Sequence, residues 1–129
     1  MQEASVKQLG PQAIEYARSG KEVQLQDATI DIPYAATLVL PVVEYDLTTF
    51  NVAALTGNTI VPAIVGARKG MKVTFLFAQD GTGGRTITWN SAFAASANSG
   101  STASHVAATT FVYSGTRWVQ EGGALTFKA

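Results

Sequence analysis

The sequence predicts an all-β fold: an antiparallel β-sandwich or jelly-roll-like domain behind a short N-terminal helical or extended arm. Three observations lead there. From Lys21 onward, apolar and polar residues alternate with a period of two, the mark of strands with one buried face. Turn signals rich in glycine, proline and asparagine recur about every eight to twelve residues, the spacing of short sandwich strands. A chain of 129 residues with 47% apolar content is long enough for one core, which excludes a disordered chain.

The arm covers residues 1–20 and the β-domain residues 21–129. Pro11 suits the first turn of a helix, Arg18 its last turn and Gly20 its stop, with Ala13, Ile14 and Ala17 on one stripe. A helix of about eight residues is marginal alone in water, so this segment is expected to dock on something.

Val23 and Leu25 then alternate with polar neighbours. Ala28, Ile30 and Ile32 continue on the other parity, so a bulge or tight turn is expected at Gln26–Asp27. Thr37 to Val43 is apolar on both parities and reads as a strand buried on two sides, with Pro41 placing it at an edge or a kink. Phe50 and Val52 alternate, Thr56-Gly57-Asn58 turns, and Ile60 to Val65 is a second two-sided run, with Pro62 again pointing to an edge position.

In the second half, Val73, Phe75 and Phe77 share one face, opposite Lys72, Thr74 and Leu76. Asp80-Gly81-Thr82-Gly83-Gly84 reverses the chain into a strand opened by Ile87 and Trp89. Ser91 to Ser104 is uncharged and dominated by Ser and Ala. His105 to Tyr113 alternates again, and Ser114-Gly115 turns it into Thr116 to Gln120, a hairpin. No internal repeat is visible.

Charge narrows the function classes. Nine Lys and Arg balance nine Asp and Glu, which argues against nucleic-acid binding by bulk electrostatics. The halves differ: residues 1–64 hold seven acids and three bases, residues 65–129 two acids and six bases. Opposite halves can complement each other within a chain or between copies. Charged residues are only 14%, against about 25% in an average domain, so much of the surface is neutral and suited to burial against other chains. The chain has no cysteine, hence no disulfide or thiolate site. Its longest apolar stretch, Ala35 to Val43, is interrupted and far short of a membrane span, and the N-terminus lacks the order of a signal peptide.

No constellation of residues points to catalysis. The GTGGR cluster lies between two strand patterns and does not feed a helix, so its glycines read as a hairpin turn and not a phosphate loop. GARKG at 66–70 lacks the Lys-Ser/Thr pair. His105 has no nucleophile elbow and no further nitrogen or sulfur ligands for zinc. Glu44 and Asp46 share a parity beside an apolar run and read as a solvated face; Asp80 has no Asp-x-Asp partner for calcium. Trp89, Phe93, Tyr113 and Trp118 sit on alternating strands and read as core. The chain is expected to be no enzyme and to use no cofactor or metal.

GMKVTFLFAQDGTGGRTITWNSAF and TTFVYSGTRW, with YDLTTFNVAALTGNTIVPAI upstream, resemble the small β-domain of bacteriophage tail fibres, tail spikes and other virion surface proteins. The resemblance covers roughly Tyr45 to Gln120 and is most specific over QDGTGGRTITW. It implies a virion location, a homotrimer without cofactors, and a structural turn and core built on Asp80, Gly81, Gly83, Gly84, Arg85, Trp89 and Trp118. After the first tryptophan, FAASANSGSTAS replaces the Trp-Pro or Gly-Gly-rich stretch common in the family, which weakens a transferred sugar-binding role. Neutral faces and complementary halves lead to the expectation of a homotrimeric capsid decoration (cement) protein. Its partners would be other virion proteins, the major capsid protein or tail proteins, and neither nucleic acid nor membrane. The alternatives are a short tail or head fibre protein binding a host receptor, and a carbohydrate-binding module. The arm would carry the attachment through Ala13, Ile14, Tyr16 and Ala17.

Overall fold

A computed structural model describes residues 27–129; the expected arm, the Val23–Leu25 alternation and residue Gln26 of the expected bulge lie outside them. Among the described residues the fold is all-β, with β1 (Asp27–Ile32), β2 (Leu47–Val52), β3 (Thr59–Val61), β4 (Lys72–Ala78), β5 (Ile87–Trp89), β6 (Phe93–Ala94), β7 (Val106–Tyr113) and β8 (Trp118–Gln120). A mixed six-stranded sheet runs β1-β2-β4-β7-β8-β6, and β3 pairs with β5 in a small second sheet. Phe75 on the large sheet meets Trp89 on the small one edge-on at 5.3 Å, so the two form a sandwich-like pair of layers.

The first three strands of the large sheet coil. β1, β2 and β4 are parallel neighbours, with Asp27 beside Leu47 beside Lys72, and Ile30 beside Phe50 beside Phe75. Each strand is followed by a loop that returns the chain to start the next strand one position along. The loops stack as well. Leu38 N–H donates to Ile60 O (3.0 Å), Ile60 N–H to Ala36 O (2.9 Å), and β3 pairs in parallel with β5. Val43 N–H donates to Val65 O at 3.0 Å and Lys72 N–H to Asp46 O at 2.9 Å, which closes the third side. Parallel strands need a long crossover, commonly a helix. Here residues 33–46 and 53–71 supply it as stacked extended chain.

The expected antiparallel pairing therefore holds only for β4–β7 and β7–β8; β1–β2, β2–β4, β3–β5 and β6–β8 are parallel. Alternation records which face a residue takes, and it is the same for either strand direction. A second correction concerns Thr37 to Val43. Only Thr37 makes a bridge, to Ile60; Leu38 and Val43 are buried while Val39 and Val42 are exposed. Pro41 has no N–H to give a ladder, and an irregular loop buries its apolar residues singly.

Inward positions of the coil form ladders: Thr48 beside Val73, Phe50 beside Phe75, and Ile32 beside Val52. Phe50, Phe75, Phe77, Phe111 and Trp118 are almost wholly removed from solvent and dominate the core. β7 then runs back against β4 with Val73 opposite Phe111 and Phe77 opposite Ala107. Its hairpin to β8 is held by Ser114 N–H donating to Arg117 O (2.8 Å).

Candidate functional site

The turn after β4 is built from one carboxylate. Asp80 Oδ1 accepts from the backbone N–H of Thr82 (3.1 Å) and of Gly83 (2.9 Å), while its Oδ2 receives Arg85 Nη2 at 2.9 Å. Arg85 Nε also reaches Oδ1, at 3.4 Å, so the guanidinium grips the carboxylate with two nitrogens. That hydrogen bond, and next the Gly83 N–H, hold the Asp80 carboxyl below the ordinary carboxylate range against the opposing effect of partial burial. Gly83 has φ +74°, and a Cβ there would lie 2.6 Å from Ala103 N and 2.7 Å from Ser101 O. Gly84 also has positive φ but faces open space, and its N–H donates to Ser101 O (2.7 Å). Gly81 carries neither constraint.

Three amide side chains, none singled out by the sequence, finish this region. Gln79 is buried; its Oε1 accepts from Arg85 N–H (3.0 Å) and its Nε2 donates to Arg85 O (2.9 Å), as a neighbouring strand would. Asn58 Oδ1 accepts from Thr86 N–H (3.0 Å) and Asn98 Oδ1 from Ile87 N–H (2.9 Å). They satisfy backbone groups that no strand reaches. The signal available beforehand was only an Asn or Gln beside turn residues, too common to pick out.

The aromatic residues converge. Trp89 is half-buried within 4.9–6.1 Å of Phe111, Phe93, Phe75 and Phe77, while Trp118 is buried against Phe93 and Tyr113. Trp89 Nε1 is buried without a hydrogen-bond partner, and so is Thr48 Oγ1. Phe75, Phe77, Phe93, Phe111 and Trp118 are buried, and the half-buried Trp89 and Tyr113 pack against them. Arg117 ties the strand ends together, donating to Ser91 O (3.2 Å) and Phe93 O (3.1 Å).

The other residues weighed for chemistry are scattered. His105 is a half-buried loop residue whose carbonyl accepts from Gln79 N–H (2.9 Å). Glu44 and Asp46 are exposed, and Asp46 faces Arg68 at 3.8 Å. Ala13, Ile14, Tyr16 and Ala17 lie outside the described residues.

What the fold displays is surface. On the outer face of the large sheet, Thr29, Thr49, Thr74 and Thr110 stand in register across four strands, with the Thr74 and Thr110 hydroxyls 2.8 Å apart. Beside this row runs an apolar groove that includes Leu76, Val106 and Ala108. The same face carries Asp27 and Asp31 on β1 and Lys72 on β4, so the threonine row and the groove lie between exposed charges.

Residues 39–118 match a family described as "Putative phage tail fibre C-terminal domain". No curated protein matches, and no solved structure does. The match spans well over half of the chain, from the first stacked loop through the coil, the Asp80 turn and β7 to Trp118, so this chain belongs to the phage tail fibre C-terminal domain family and is a bacteriophage structural protein located in the virion.

Proposed function

We propose that the chain acts at the tail and not on the capsid: as a homotrimeric tail fibre domain, it makes a non-catalytic contact with a receptor on the host surface. The observation that carries this is the family match over residues 39–118, which points to the tail fibre alternative and gives no support to capsid decoration. The broad outer sheet face with its threonine row, and the packing of the aromatic rings on one another, support a reading of binding through surface contact without a cofactor. Residues 1–20 are proposed as the segment that joins the domain to the rest of the fibre.

Adsorption tests the reading. Host cells preincubated with the purified protein are expected to adsorb fewer particles, and an antibody against the domain is expected to decorate tail fibres in electron micrographs. Antibody labelling distributed over the capsid instead would restore the decoration reading. A protein lacking residues 1–20 is expected to remain folded and to compete for cells, yet to be missing from particles.

A further inference from the structure

Two apolar surfaces point away from the shared core in different directions. The first is a strip on the stacked loops, where Val39, Val65 and Val42 keep 79%, 68% and 54% of their surface exposed. The hydrogen bond from Val43 N–H to Val65 O holds the two loops side by side, and Glu44 stands exposed next to the strip. The second is a groove of about 530 Å³ on the outer face of the large sheet. Leu76, Ala78, Val106 and Ala108 form its floor, Asn51 on β2 borders one side, and Lys128 lies on the other, opposite Val106.

We propose that these surfaces meet between copies of this chain: the Val39–Val42–Val65 strip of one copy seats in the groove of the next, with Glu44 of the first beside Lys128 of the second. The inference rests on the self-association proposed above and names its surfaces. Projecting apolar side chains of this extent mark an interaction site. Short branched valines suit a shallow floor of Ala, Val and Leu. The flanking charges are opposite in sign, as are the two halves of the chain that supply them. Because the contact joins two different surfaces it is heterologous, and it closes into a ring where the rotation between neighbours allows. A ring of three is the trimer.

Val39→Asp damages the strip and Ala108→Glu the groove; both positions are exposed, so melting temperature serves as the check on folding. By native mass spectrometry at micromolar concentration, the full chain is expected to be oligomeric and each variant monomeric. Mixing the two variants is expected to give a heterodimer, since the sound groove of one accepts the sound strip of the other. Glu44→Lys and Lys128→Glu are each expected to weaken assembly at least tenfold, and the double variant to recover most of it.

A parent chain that stays monomeric overturns both this inference and the self-association reading. Variants that assemble as the parent does overturn the inference alone, as does a mixture that gives no heterodimer. If Ala108→Glu lowers the melting temperature of the subunit while assembly is unchanged, a segment of the same chain fills the groove and the inference fails.

Discussion

Gly83 is where one added methyl group has most to displace. Its positive φ costs an L-residue about 1–2 kcal/mol, and the atoms a Cβ would meet are backbone, which cannot swing aside. Gly83→Ala is therefore expected to destabilise by about 2 kcal/mol or more, and Gly84→Ala, with open space around it, by about 1 kcal/mol. Urea unfolding of the two variants checks the order. Asp80 gives the turn its pH dependence. Because its carboxyl is more acidic folded than unfolded, its stabilisation is complete above the ordinary carboxylate pKa and is lost as pH falls through the folded value. In melts taken from pH 5 downward, Asp80→Asn is expected to be less stable at pH 5 and to show a shallower loss than the parent. A buried polar atom without a partner, Thr48 Oγ1, predicts the opposite kind of result. Thr48→Val removes an unsatisfied group at nearly constant shape, so it is expected to be neutral or to stabilise by up to about 1 kcal/mol, whereas Trp89→Phe also leaves a cavity in the ring cluster and is expected to destabilise. Trp89→Ala, by emptying the aromatic cluster, is expected to cost about 3–5 kcal/mol.

Among the elements, β4 holds the others together. It is bonded on both sides, in parallel to β2 and antiparallel to β7, and Phe75 at its centre touches Phe50, Phe77, Trp89, Phe93 and Phe111. Local opening free energies rise with burial and with bonding on both edges. Amide exchange is expected to be slowest in β4 and its partners on β2 and β7, and fastest in β6, which pairs only through Phe93 and Ala94. Exchange in β6 as slow as in β4 would show that the coil and the returning strands open as one unit. The returning strand β7 also closes the coil: with β4 between them, β2 and β7 are joined into one sheet although the first is entered by a coil and the second by a reversal.

At the scale of the whole molecule, nearly all pairing is long-range. Equivalent coil positions are Asp27, Leu47 and Lys72, and β4 must wait for β7 to be added from the far end of the chain. Loop closure has to precede the contacts that reward it, so folding of the described domain is expected to take milliseconds to seconds in stopped-flow experiments. The tail fibre assignment also belongs to this scale, because it rests on the run of residues 39–118 and on no single side chain.

The alternation of Val73, Phe75 and Phe77 was legible because a strand with one buried face must place apolar residues at every second position, and that rule is local. The Asp80 turn was legible for the same reason: positive φ at Gly83 and an Asp bonding to N–H groups just ahead are properties of a few consecutive residues. It is not the expected hairpin, because β4 pairs with β2 and β7 while β5 pairs with β3 in the other sheet. Strand direction was not legible, since the side-chain pattern is the same whichever way a neighbour runs. Nor was the coil. Its equivalent positions are separated first by 20 and then by 25 residues, and they carry different side chains, Ala28 beside Thr48 beside Val73, so no repeat shows in the sequence. The pairing of Gln79, Asn58 and Asn98 with the backbone of residues 85–87, and the exposure of Val39 and Val42 in a run that reads as buried, depend on which segments lie alongside. Local chemistry fixes which residues turn and which face inward; contacts between distant segments choose the partners, and here the partners were chosen by stacking one coil on the next.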